Sequence, residues 1–145
     1  MMRRTLIGLW LLLALGWAGA AARAAEPPDA ADSAAIRTVI DSQIAAFRRD
    51  DGAAAFAHAA PAIQQMFGTV DQFMAMVRGG YQPVYRPQAY RFGDISLVGD
   101  LIVQKVHIVG PDGRAVTAFY TMEKQPDGTW RIAGCALGAP EEQSA

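Results

Sequence analysis

Five side chains have the chemistry and the placement to form a site: Gln43, His58, Tyr90, Gln104 and Tyr120. A glutamine amide offers a neutral donor and acceptor, a tyrosine a hydroxyl that stays protonated near neutral pH, and histidine a base. Together they suit a polar floor and an aromatic mouth for a small-molecule pocket, with Tyr81, Tyr85 and Arg86 beside Tyr90 at that mouth. The same glutamines and Tyr120 could equally close a small buried polar network of their own, and both readings stand at this stage. No catalytic residue is expected, because only His58 could act as a base near pH 7. His58 and His107 are the only histidines and lack an acidic cluster at ligand spacing, so no metal site is expected. The glycine-rich pieces lack the lysine and strand–helix context of a phosphate loop, so no cofactor is expected either.

The elements that must position these groups are legible from turn chemistry. Pro111-Asp112-Gly113 and Pro126-Asp127-Gly128 lie between runs of β-branched and aromatic residues. Each is a three-residue hairpin loop with a glycine at positive φ, which pairs Gly110 with Arg114 and Gln125 with Thr129. Gly99-Asp100 reads as a two-residue hairpin loop. Four strands in an antiparallel meander follow, spanning Gln88 to Leu137. Strict alternation then places Ile95, Leu97, Ile102, Val106, Ile108, Val116, Ala118, Met122, Trp130, Ile132 and Ala136 on an apolar face. Gln104 falls opposite Tyr120 on that face, with Gly134 across from Tyr120 on the last strand. The other face receives Asp94 opposite Lys105, Phe92 opposite His107 and Glu123 opposite Arg131, with Thr117, Phe119, Thr121 and Cys135. A homodimer through Phe92, Phe119 and Cys135 on that face is the expected assembly.

Ahead of the sheet, Asp32-Ser33 offers an N-cap to a helix with Ile36, Val39, Ile40, Ile44 and Phe47 at helical spacing, closed by Gly52. Gln43 lies within that stripe and Asp41 off it. An alanine-rich helix over 53–60 carries Phe56 and His58. Pro61 starts another that Gly68 ends, and Thr69 to Gln72 is a capping box opening a third. Tyr81 to Pro87, with two prolines, is expected to be extended. Helices followed by a sheet with one apolar face make a single α+β domain over residues 33–138.

The first 24 residues read as a secretory signal peptide: Arg3-Arg4, an apolar run from Thr5 to Trp17, and the Ala22-Arg23-Ala24 exit. The apolar run is shorter than a bilayer helix needs, so an exported protein without a stable membrane anchor is expected, in the periplasm or secreted. Residues 25–32 read as a linker and 139–145 as a disordered tail. Losing Arg3, Arg4 and Arg23 leaves 10 of the 13 basic residues against all 14 acidic ones, a net charge near −4. No basic patch survives, so nucleic acid is not an expected partner. A single cysteine excludes an internal disulfide, and packing must supply the stability.

Ala55-Phe56-Ala57, Pro61 to Gln64, Phe67-Gly68, Phe73 to Val77, Tyr81 to Pro87 and Pro126 to Cys135 stand in an order and spacing of their own. In these residues the chain resembles the nuclear-transport-factor-2-like superfamily, which includes ketosteroid isomerase, and more narrowly the family of domain of unknown function 4864. The resemblance implies a cone of helices on a curved sheet, often with a pocket between them, and no defined activity. The isomerase needs a carboxylate base, and the apolar sheet face derived above contains none. The first reading is therefore a non-catalytic binder of a small apolar or amphipathic ligand or a protein partner. The alternatives are proton transfer by His58 or a pocket tyrosine, and a purely structural dimerisation module.

Overall fold

The computed structural model describes residues 26–141, so the stretch read as a signal peptide lies outside the described residues, as do the last four residues. Five helices come first: α1 (Ala30–Arg48), α2 (Gly52–Ala57), α3 (Pro61–Phe67), α4 (Val70–Gly80) and α5 (Gln82–Tyr85). Four strands follow: β1 (Ala89–Val98), β2 (Leu101–Val109), β3 (Ala115–Lys124) and β4 (Trp130–Gly138). They form an antiparallel meander in the order β1-β2-β3-β4, the α+β arrangement that the turns predict. The core between the layers joins Ile36, Ile40, Ile44 and Phe47 of α1 to Val106, Ile108, Ala118, Met122 and Ile132 of the sheet. Among the described residues, no helix is long and apolar enough to cross a membrane.

Several helix ends differ from the sequence reading. The cap of α1 is Asp29, whose Oδ1 accepts from the Asp32 N–H at 2.7 Å, so the helix starts before Asp32-Ser33. At its far end Asp50 takes the left-handed turn at φ 53° in place of a glycine, a conformation that aspartate tolerates better than most residues. Gly52 instead opens α2, where a Cβ would come within 2.7 Å of Val70 and 2.9 Å of Met74. A glycine is needed there because α2 and α4 pack closely. Tyr81 to Pro87 is not extended throughout. Pro83 sits in the first turn of α5, where its missing N–H has no helical partner to lose. The ends of α3 and α4 match expectation, with Gly68 at φ 76° and Thr69 accepting from the Gln72 N–H.

The hairpin loops match too. The Gly110 N–H donates to Arg114 at 2.9 Å and the Gln125 N–H to Thr129 at 2.7 Å, with Gly113 and Gly128 at positive φ. Asp112 and Asp127 each accept from the backbone N–H two residues on, which locks both turns. Between these turns β2 and β3 pair as expected, Gln104 opposite Tyr120 included, and Glu123 faces Arg131 across β3 and β4.

Two β-bulges interrupt the alternation. Gly93 and Asp94 together oppose Lys105, so Phe92 pairs with Val106 instead of His107, and the Asp94–Lys105 pair does not form. On β4, Ala133 is the extra residue: Ile132 pairs with Met122, but Gly134 pairs with Thr121 and Cys135 with Tyr120. Because side chains alternate with period two, one extra residue moves everything beyond it to the other face. Phe92, Cys135 and Leu137 therefore pack against the core. Ala136 turns outward beside Phe119, and Gly134 also lies on the outward face, against Thr121. The outward face expected to carry a dimer keeps Phe119 but loses Phe92 and Cys135. Lys105 pairs across that face with Glu141 at 3.1 Å, and the Glu141 N–H donates to the buried Thr117 hydroxyl.

Candidate functional site

A cavity of about 300 Å³ lies where α3, α4 and α5 meet the second half of the sheet. Ile63, Met66 and Phe67 of α3 face Phe73, Met76 and Val77 of α4, while Val84 of α5 and Phe47 of α1 close one side. Tyr120, Ile132 and Cys135 form the sheet wall. Met66 is largely exposed at the rim. The wall contains no carboxylate, amine, guanidinium or imidazole; its polar groups belong to Gln43, Tyr81, Tyr120 and Cys135.

Each polar group has a distinct standing. The Tyr81 hydroxyl donates to the Cys135 carbonyl at 3.0 Å, tying the start of α5 to β4. Gln43 donates its Nε2 to the Ala55 carbonyl at 3.1 Å, joining α1 to α2. Tyr120 is 1% exposed, and its hydroxyl has no hydrogen-bond partner. A buried hydroxyl without a partner carries a desolvation cost of about 1–3 kcal/mol. Burial, then the neighbouring Cys135 and Tyr90, push the Tyr120 pKa well above that of an ordinary tyrosine. Burial likewise pushes the Cys135 thiol up to about 12. Both groups are held protonated, so the wall offers hydrogen-bond donors and no base near neutral pH.

The wall formed by α5 is held by a cluster at the end of α1. Arg86 donates Nη1 to the Phe47 carbonyl and pairs through Nη2 with Asp50 at 2.9 Å, while the Tyr85 hydroxyl also donates to Asp50. Those partners, the Tyr85 hydroxyl first, hold the Asp50 carboxyl below its ordinary pKa. The Arg86 guanidinium stacks 3.9 Å from the Tyr85 ring centre. Tyr85 and Arg86, read from sequence as part of an aromatic mouth, thus hold the position of α5 instead.

The structure brings only two of the five candidate residues to this cavity, Gln43 and Tyr120. Gln104 is fully buried beside Tyr120, but its Nε2 donates to the Gly93 and Lys105 carbonyls, both at 2.8 Å. It thereby ties together the two strands at the first bulge, and its Oε1 is left without a partner. Gln43, Gln104 and Tyr120 do not bond to one another. Tyr90 donates its hydroxyl to Asp41 at 2.7 Å and pins β1 to α1; burial first, and then Asp41, raise its pKa to about 12. His58 lies at the edge of β4, in a shallow groove with Thr129 and Trp130. Its pKa is lowered by burial and by the charges of Arg131 and Arg49.

Sequence reasoning missed Cys135 and the sulfur-rich wall of Met66 and Met76. A signal was present: Gly93 and Gly134 each interrupt a strand pattern, and an isolated glycine in a strand marks a bulge. No curated protein and no solved structure matches the chain. A family model described as domain of unknown function (DUF4864) matches residues 29–145, and the chain belongs to that family.

Proposed function

We propose that this protein binds a small, mostly apolar molecule in the cavity under α3, α4 and α5, without transforming it. The observation that carries this reading is the Tyr120 hydroxyl, wholly buried, unpartnered and set in an apolar wall. Apolar pockets with a few placed polar groups are the usual form of a small-molecule site. The lining supports binding over proton transfer, since it carries no carboxylate, amine or imidazole, and burial holds the Tyr120 phenol and the Cys135 thiol protonated. The layer of helices on a curved sheet is also what membership of the nuclear-transport-factor-2-like superfamily would give. The leader pattern adds export, which places the ligand outside the cytoplasm.

Uptake of the neutral dye N-phenyl-1-naphthylamine tests the cavity. Purified protein should enhance its fluorescence, and Ile63→Trp, which puts an indole into the cavity, should weaken uptake at least tenfold. Arg91→Ala, on the outward face, should leave it unchanged. Dye uptake equal in wild type and Ile63→Trp would count against the site. The export element is checked by intact mass, with Ala25 expected as the first residue; retention of Met1 in a membrane fraction would overturn it.

A further inference from the structure

Charge and hydrogen-bond inventory narrow the ligand further, resting on the binding reading above. An ion carried to the sheet wall would find no opposite charge there, and burying an unpaired charge is among the costliest events in a protein interior. A pure hydrocarbon would leave the Tyr120 hydroxyl as it stands, unpartnered. Gln43, on α1 and lining the same cavity, commits its Nε2 to Ala55 and takes no hydrogen bond at Oε1 among the described residues. The cavity thus supplies one strong donor without a partner, the Tyr120 hydroxyl beside the weakly bonding Cys135 thiol, and one free acceptor, the Gln43 amide oxygen. A ligand hydroxyl is the smallest neutral group that answers both.

We propose that the cavity selects an uncharged amphiphile whose buried polar group is a hydroxyl, accepting from the Tyr120 hydroxyl and donating to the Gln43 amide oxygen, with its apolar body along Phe67, Phe73 and Met76. Carboxylate lipids are excluded by the absence of any cation on the wall. Tyr120 is the specificity-determining residue.

Competition against the bound dye with four chains of matched length tests this: 1-decanol, 1-methoxydecane, decane and decanoate at pH 7.4. Decanol should compete best, about fivefold or more ahead of decane, as one neutral hydrogen bond allows. Methoxydecane, which accepts but cannot donate, should fall between them, and decanoate at least about tenfold behind decanol. Tyr120→Phe should cut the advantage of decanol over decane to about that of methoxydecane in the wild type, since the bond to Gln43 remains, while leaving decane unchanged. Decanoate matching decanol, methoxydecane matching decanol, or an undiminished decanol advantage in Tyr120→Phe would each overturn the proposal while the cavity reading stands. Failure of all four to displace the dye overturns the cavity reading, and this proposal with it.

Discussion

Tyr90 and Tyr120 stand on the same face of one sheet, two strands apart, and have opposite fates. The Tyr90 hydroxyl reaches the edge of the core and finds Asp41, and its ring lies under Arg48. The Tyr120 hydroxyl stops inside the core, opposite Gln104 on one side and Cys135 on the other, and finds nothing. The difference is one of neighbours. A carboxylate of α1 lies within reach of the Tyr90 hydroxyl, whereas Tyr120 stands in the wall of the cavity under α3, α4 and α5, where no polar side chain meets its hydroxyl. A polar group that closes on the protein is scaffold; one left open in a cavity is available to something else.

Gln104 sharpens the contrast most. Gln104→Leu removes the amide that holds the Gly93 and Lys105 carbonyls and should cost about 2–4 kcal/mol, read by denaturant melts. A cost below about 1 kcal/mol would show that the bulge does not depend on it. Alkaline titration gives the next largest effect. Both tyrosines have folded pKa values above the unfolded value near 10, so the folded form keeps its protons longer than the unfolded one. Their contribution to stability is present below pH 10 and is lost as pH rises from there, through about 12 for Tyr90. Ultraviolet titration should show Tyr90 and Tyr120 ionising later than a free tyrosine, and ionisation of both near pH 10 would contradict the burial.

Tyr90→Phe should cost about 1 kcal/mol, the worth of one partly exposed bond to a carboxylate, and Asp41→Ala should add little once Tyr90 is gone. Tyr120→Phe should not destabilise the protein and should instead stabilise it, by about 1 kcal/mol, because it removes a buried hydroxyl that has no partner and strands none. Equal costs for the two tyrosine substitutions would erase the distinction between closed and open groups.

Most of the fold was readable because turn chemistry is local. Proline, aspartate and glycine in order determine a hairpin loop, and the loop determines its own register. The pairing of Gln104 with Tyr120 followed directly from Gly110 and Arg114. Bulges are harder, since one extra residue costs little energy and leaves only a glycine as its mark. That is why Phe92 and Cys135 were assigned to the wrong face. The cavity was less legible still. Its existence depends on how far α3 and α4 stand from β4, a sum over many packing contacts that no single residue encodes. Tyr120 was identifiable as a buried polar group, but whether its hydroxyl would be matched was not.

The backbone of Ile132 faces the α2–α3 connection, away from its β3 neighbour Met122: its N–H donates to the His58 carbonyl and its carbonyl accepts from the Ala60 N–H, each at 2.8 Å. That short parallel bridge makes the connection a stub of a fifth strand, and it caps the sheet where β4 would otherwise end bare. Growth by strand addition is thereby directed to one side, along β1. There the Gly93-Asp94 bulge kinks the would-be template, and bulged, charge-bearing edges pair poorly with incoming chains. At high concentration the molecule should resist edge-to-edge polymerisation, and loosening the α2–α3 connection should be the quickest way to make it sticky.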